Sequence, residues 1–127
     1  MCAVTLRNGR QRTGSFLSLI DTGADYCLFP SDYLEEIGID RSTLRPGTVQ
    51  GVSIDAGVLY ANVDLAIEGL GEWTVYAGFS DYWRGQHVGF LGQVGFFDRF
   101  TVSFDYRKRK CEVSDEADSN LLSAPNG

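Results

Sequence analysis

The sequence predicts a mainly β fold in a single domain, and three observations support this prediction. The chain has 127 residues, a length that suits one domain with its own core. Its apolar segments are short, often alternate with polar residues, and are rich in Val, Phe, Tyr and Trp, as half-buried strands are. Fifteen glycines are spread along the chain, so residues suited to tight turns are available between these segments.

The strand pattern recurs from one end of the chain to the other. Between two of the longer strand segments, the residues Glu68 to Glu72 contain two glycines, which favours a hairpin turn. The predicted strands cover residues 3–6, 16–20, 27–29, 48–54, 58–67, 73–79, 87–91, 101–105 and 110–113.

Two short helices are predicted between strands. The first follows Pro30, where Ser31 and Asp32 are residue types that helix starts prefer, and Gly38 is placed to end it. The second is expected over residues 93–100, because Val94 and Phe97 recur there at helical spacing.

Charge and composition exclude several classes of partner. Eleven Lys and Arg against seventeen Asp and Glu give a net charge of −6, the opposite of the positive field that nucleic acids and anionic membranes attract. No apolar stretch is long enough to span a bilayer, and the start of the chain lacks the apolar run of a signal peptide. We therefore expect no nucleic-acid or membrane partner, and a cytoplasmic protein.

Composition also sets the expected domain limits and bears on disulfides and zinc. Residues 1–113 are expected to fold, whereas residues 114–127 are acidic and polar and are expected to be a disordered tail. The three cysteines are an odd number without metal-ligand spacing, so neither a disulfide framework nor a zinc site is expected.

Several other residues have an ordinary structural interpretation. The basic run Arg107–Lys110 is expected to be the solvated turn of a hairpin rather than a nucleic-acid contact. His87 and Cys27 are interpreted as structural, with the thiol acting as a small buried apolar group. Tyr82 and Trp83 fit a substrate groove and a loop packed on the core equally well.

The segment with the most chemical information is the run from Phe16 to Asp25, in which an apolar strand leads directly into Asp21, Thr22 and Gly23. The tripeptide by itself is also ordinary turn chemistry. Its context favours a site, because Ala24 follows the tripeptide and a second element, Phe90-Leu91-Gly92, precedes a helix-compatible segment.

Taken together, residues 19–25, 90–92 and 96–100 resemble a retropepsin-type aspartic protease. The resemblance covers about residues 4–113 and includes the order of elements. It implies a closed β-barrel that acts as a homodimer, hydrolyses polypeptide substrates and needs no cofactor, with Asp21 as the catalytic residue.

This chemistry explains why a homodimer is expected. Hydrolysis of a peptide bond without a metal needs a water between a general base and a general acid, and two adjoining carboxylates that share one proton supply both. The chain contains a single Asp-Thr-Gly, so the second carboxylate is expected to be Asp21 of another copy. Such a pair titrates as a unit with separated pKa values.

The resemblance also assigns roles to the neighbours of Asp21. Thr22 is expected to bond across the two-fold axis, and Gly23 to allow close approach of the substrate backbone. Ala24 stands where some relatives have Ser, whose hydroxyl would lower the pKa of the carboxylate, so activity is expected at less acidic pH than in those relatives. Asp25 and Tyr26 are expected to border the substrate groove.

A flap over the substrate is expected within residues 48–58, where Gly51 and Gly57 would give mobility. An ordinary surface hairpin is the alternative for this segment. Val52, Ile54 and Leu91 are expected to line apolar pockets, so the predicted substrate is an extended peptide with bulky apolar residues around the cut.

The sequence departs from the family pattern at two places. Gln93 stands where many retropepsins have Arg, so Asp25 needs another partner, with Arg99 or Arg7, Arg10 and Arg12 of either subunit as candidates. Tyr26 replaces an acidic or small residue at the edge of the groove.

Two alternatives to an active protease remain open. The chain could be a catalytically silent dimerisation or peptide-binding module on the same fold, or a self-processing fragment of a longer precursor. Chain termini in retropepsins contribute strands to the dimer interface, so the resemblance makes the C-terminal hairpin a candidate for this interface.

Overall fold

A computed structural model describes residues 1–48, 57–105 and 110–115. Over these residues the fold is mainly β, as predicted. One α-helix, α1, covers Asp32–Glu36, and two 3₁₀ turns cover Arg41–Thr43 and Asp81–Trp83. The strands are β1 Cys2–Asn8, β2 Gln11–Arg12, β3 Phe16–Ile20, β4 Leu28–Pro30, β5 Arg45–Thr48, β6 Gly57–Ile67, β7 Gly71–Ser80, β8 Val88–Leu91, β9 Phe100–Asp105 and β10 Lys110–Asp115.

Six of the strands close into a barrel. Their order is β1, β3, β8, β4, β7 and β6, and β6 pairs with β1 to complete the circle. The pairs β3–β8 and β4–β7 are parallel, whereas the other pairs of the barrel are antiparallel. Among the described strands, β2 and β5 are attached to this sheet outside the ring, so most of the edges within the sheet are paired.

The barrel encloses an apolar core built by alternation along the strands. In β6, every second side chain from Ala61 to Ile67 is buried, while those between them face outward. Burial of each large apolar side chain contributes about 1.5–3 kcal/mol. The largest fully buried side chains are Phe29, Phe79, Phe96, Leu6, Leu34, Ile37, Leu65 and Leu91.

The first predicted helix is confirmed. Helix α1 begins after Ser31, and the chain leaves it through Gly38, whose φ of +71° is the left-handed conformation that favours glycine. Leu34 and Ile37 are both fully buried against the barrel. The Ser31 hydroxyl donates to Asp81 rather than capping its own helix, which ties α1 to the turn after β7.

The second predicted helix is wrong, because residues 93–99 form a series of turns. Gly95 has a φ of +100°, which interrupts helical geometry. The Gly95 carbonyl accepts a hydrogen bond from the Trp73 indole at 2.8 Å, and Asp98 accepts one from the Gly95 N–H at 3.1 Å. Phe96 is fully buried, whereas Val94, one of the residues at helical spacing, is 39% exposed, so this spacing does not mark a buried helical face.

Strands β9 and β10 form an antiparallel hairpin beside the barrel, with Phe100 paired to Asp115 and Asp105 paired to Lys110. Within the described ranges these two strands pair only with each other. β10 continues to Asp115, beyond the predicted domain limit at residue 113. The basic run at 107–109 and the tail from residue 116 lie outside the described residues.

None of the helices in the described part of the chain is both long enough and apolar enough to cross a bilayer.

Candidate active site

The geometry of the candidate site begins where two parallel strands end side by side. Ile20 and Leu91 are the last residues of β3 and β8 and lie in register. The next residue along β3 is Asp21, whose N–H donates to the Leu91 carbonyl at 2.9 Å. This bond continues the pairing one residue beyond the strands and fixes the backbone of a partly exposed carboxylate.

The residues after Asp21 form a tight turn around its side chain. The Gly23 N–H donates to Asp21 Oδ1 at 2.9 Å, and the Ala24 N–H donates to the Asp21 carbonyl at 3.2 Å. The other oxygen, Oδ2, accepts no hydrogen bond from the residues that the structure describes. Thr22 and Gly23 are exposed. The turn therefore orients the carboxylate and leaves one of its oxygens open to an incoming group.

The segment after β8, residues 92–94, crosses this turn and holds it in place through hydrogen bonds. The N–H groups of Gln93 and Val94 donate to the carbonyls of Ala24 and Asp25 at 2.9 and 2.8 Å, and the Gln93 side-chain amide donates to the Thr22 carbonyl at 2.9 Å. A Cβ at Gly92 would lie 2.6 Å from the Ala24 carbonyl oxygen, so only glycine allows this approach.

An apolar surface adjoins the carboxylate on the outside of the barrel. Leu17 and Leu19 point outward from β3 and are 50% and 40% exposed. Phe90 pairs with Leu19 across the strands and is partly exposed. These three side chains offer a contact area for large apolar groups, which is unusual on an outer sheet face that would otherwise be polar.

A second apolar cluster, distinct from the barrel core, packs against Phe90. It contains Ala24, Leu28, Val58 and Trp83, with Phe90 packed against it. The Phe90 and Trp83 rings are 5.4 Å apart. Of the two aromatic residues for which the sequence left the role open, Trp83 is buried in this cluster and Tyr82 is 58% exposed.

Leu91 does not line this surface. It is fully buried in the barrel core, which corrects the expectation that its side chain forms a pocket for substrate. Successive residues of a strand face opposite sides of the sheet, so the outward position in β8 belongs to Phe90. Strict alternation along Phe90-Leu91-Gly92 could have suggested this, but the sequence does not show which face of β8 is inside.

Asp25 and Tyr26 lie next to the turn, and Asp25 is exposed. Within the described ranges the Asp25 carboxylate forms no ion pair and accepts no hydrogen bond. Within one chain, Arg7 bonds Glu72 at 2.7 Å and Arg99 lies over the Trp73 ring at 4.9 Å. Pairing of Asp25 with Arg7, Arg10, Arg12 or Arg99 of a second subunit stays a prediction.

Three residues of the expected flap, Gly51, Val52 and Ile54, lie outside the described residues. The described strands on either side, β5 and β6, are antiparallel, and Thr48 pairs with Gly57. In the part of the chain that the structure describes, no group of three or more His, Cys, Asp and Glu side chains is placed to hold a metal ion.

Comparison with known proteins identified no relative. No protein-family model matches the sequence, and neither the curated proteins nor the solved structures contain a significant match.

Proposed function

We propose that the chain is a retropepsin-like aspartic endopeptidase that acts as a homodimer, with Asp21 of each subunit contributing one carboxylate. The observation that carries the proposal is the placement of Asp21 at the joined ends of β3 and β8. There its backbone is fixed by Leu91, one side-chain oxygen is held by Gly23, and the other is open.

The reaction needs a carboxylate whose orientation does not depend on substrate. Hydrogen bonds from Gln93 and Val94 to the turn, and the absence of a side chain at Gly92, hold the loop in one conformation. Pre-organisation of this kind lowers the cost of aligning the reacting groups. A surface turn without a functional role would not need these hydrogen bonds from a second segment, so their presence supports a site.

The proposed mechanism divides the two proton transfers between the two Asp21 carboxyl groups. The ionised carboxylate takes a proton from a water molecule while the water oxygen attacks the peptide carbonyl carbon. At the same time the protonated carboxyl gives its proton to the carbonyl oxygen. When the resulting diol collapses, the C–N bond breaks, the nitrogen receives the proton that the first carboxyl took from water, and the second carboxylate takes a proton from a diol hydroxyl, which restores the dyad. One protomer has only half of this machinery.

The hairpin of β9 and β10 supports the dimer. A two-stranded sheet is marginally stable when isolated, and its edges present unpaired backbone groups. Phe100 anchors the hairpin to the barrel core, and neither β9 nor β10 forms a ladder with any other described strand. Pairing with the same hairpin of a second copy would stabilise the two-stranded sheet and would give its edge backbone groups hydrogen-bond partners.

The outward side chains Leu19 and Phe90 support the expected substrate. They flank the end of the strands that present Asp21, so a bulky apolar residue beside the scissile bond would cover them. Burying about 100 Å² of this surface would contribute about 2.5 kcal/mol to binding.

Cleavage of a mixed library of extended peptides tests the activity. The wild type and a Glu68→Gln control, which also removes one exposed carboxylate, should cleave the library, and Asp21→Asn should not. If wild type and Asp21→Asn are both inert yet dimeric and bind peptides, the chain is a binding module instead.

Mixing the subunits tests the shared dyad separately. In a freely exchanging equal mixture of wild type and Asp21→Asn, about a quarter of the dimers have two Asp21 side chains. Activity per total protein should therefore fall to about a quarter of the wild-type value. A fall to one half would mean that each subunit works alone, which would refute the half-site arrangement.

A further inference from the structure

Three tyrosines from distant parts of the chain meet beside the candidate active site. Tyr60 and Tyr76 stack at 5.4 Å with an angle of 17° between their rings. The Tyr26 ring meets the Tyr60 ring at 5.1 Å and an angle of 62°, and the Tyr76 ring at 6.1 Å and an angle of 74°. We refer to Tyr26, Tyr60 and Tyr76 as the tyrosine cluster.

The tyrosine cluster is accessible from outside the barrel. Tyr76 is 39% exposed, and Tyr26 and Tyr60 are partly exposed. Tyr60 and Tyr76 also line an open groove of about 490 Å³, together with neutral side chains that include Asn8, Asn62 and Leu44. A side chain from another molecule can therefore reach the aromatic surfaces.

The cluster adjoins a negative charge that the described chain does not neutralise. Asp25 directly precedes Tyr26 and is exposed, and its carboxylate has no cationic partner among the described residues. Burial raises the pKa of Tyr60, and the charge of Asp25 contributes in the same direction, as expected for a carboxylate close to the cluster. Arg41 and Arg7 are bound to Asp81 and Glu72 instead.

We propose that Asp25 and the tyrosine cluster together form a subsite for a basic side chain of the substrate. This inference rests on the proposed function, since it names the polypeptides that the site would accept. Aromatic faces attract the guanidinium of Arg or the ammonium of Lys, and a carboxylate at the edge of the faces adds an ion pair.

Other occupants fit this surface less well. An acidic side chain would be repelled by Asp25, and an apolar side chain would remove the carboxylate from water without giving it a partner. A basic side chain lays its aliphatic stem along the rings and brings its charge to Asp25. The proposed substrate therefore has a bulky apolar residue beside the cut and a basic residue a few positions away.

Binding of peptides to the inactive Asp21→Asn protein tests the subsite independently of cleavage. One set of extended peptides carries a single arginine at successive positions, and the matched set carries citrulline, which has nearly the same shape but no charge. At one position, the arginine peptide should bind about five- to tenfold more tightly than its citrulline counterpart. Equal dissociation constants at every position, or no binding of either set, would overturn the subsite.

Variants of the cluster separate this role from simple packing. Asp25→Asn and Tyr76→Leu should each bring the arginine-to-citrulline ratio toward one, whereas Tyr76→Phe, which keeps the ring, should preserve it. If Asp25→Asn weakens dimerisation and leaves the ratio unchanged, Asp25 pairs with the other subunit and the subsite is refuted. Should the binding preference hold while the wild type cleaves nothing, only the proposed protease activity fails.

Discussion

Replacing Gly92 with alanine should destabilise the protein strongly, because the new methyl group has no space. An ideal Cβ at this position would lie 2.3 Å from the Tyr26 carbonyl oxygen and 2.6 Å from that of Ala24. Both contacts are backbone atoms, which cannot move aside as a flexible side chain would. The φ angle of Gly92 is not in the left-handed region, so the whole effect is steric.

The expected loss in free energy of unfolding follows from the contacts and hydrogen bonds that the new methyl group would disturb. Overpacking of a tight site costs about 1–3 kcal/mol. Separating the two segments also strains the hydrogen bonds from Gln93 and Val94 to the turn, and each such bond contributes about 1 kcal/mol. We expect Gly92→Ala to lower the free energy of unfolding by about 3–5 kcal/mol, a large part of the 5–15 kcal/mol typical of a domain.

Urea unfolding followed by tryptophan fluorescence measures this change, at one fixed protein concentration because a dimer's stability depends on it. Gly14→Ala is the matched control, since a Cβ there meets nothing within 4 Å, and its stability should stay within about 1 kcal/mol of wild type. A Gly92→Ala protein as stable as the control would refute the close crossing of the two segments.

Three further predictions concern other parts of the molecule. Ala24→Ser should shift the pH–rate profile to more acidic values, because a hydroxyl bonded to the Asp21 carboxylate favours its charged form; profiles that overlay or shift upward would contradict this. Hydrogen bonds from Arg41 and Ser31 lower the pKa of Asp81 from 3.8 to about 2, so its stabilisation is present above pH 3.8 and lost as the pH falls through 2. Asp81→Asn should therefore be less stable by under about 1 kcal/mol near pH 6, and a difference from wild type that does not shrink toward pH 2 would refute the assignment. The Ser18 hydroxyl is fully buried and has no hydrogen-bond partner among the described residues. Ser18→Ala should therefore leave the free energy of unfolding unchanged or raise it by about 1 kcal/mol. A clear loss of stability in urea unfolding would show that the hydroxyl has a partner.

The strands could be predicted where alternation extends over many residues. The expected strand 58–67 corresponds to β6, Gly57–Ile67, because one face of this segment is apolar throughout. Strand β2 and the 3₁₀ turns are too short to show any period. The helix expected at 93–100 failed for a different reason, since Gly95 has a φ of +100° and interrupts helical geometry.

In the candidate site, features set by neighbouring residues could be predicted from the sequence, whereas features set by contacts between distant segments could not. An apolar strand running into Asp21 is a local pattern, and the sequence located this residue at a strand end. Whether Phe90 or Leu91 faces outward depends on the register of β8 in the barrel, and a shift of one residue exchanges the two faces. The tyrosine cluster escaped prediction because its members come from three segments far apart in the sequence.

The side chain of Gln93 affects both the turn that presents Asp21 and the charge of the proposed subsite at Asp25. The sequence indicated only that this residue could not form the ion pair with Asp25 that an arginine would form. In the structure, its amide instead donates to the Thr22 carbonyl, so it supports the turn that presents Asp21 without neutralising Asp25. A cation at position 93 would place a positive charge close to Asp25 and compete with any basic side chain of a substrate. Gln93 therefore keeps the hydrogen bond that the turn needs while leaving the negative charge of Asp25 available, which is the combination that the proposed subsite requires.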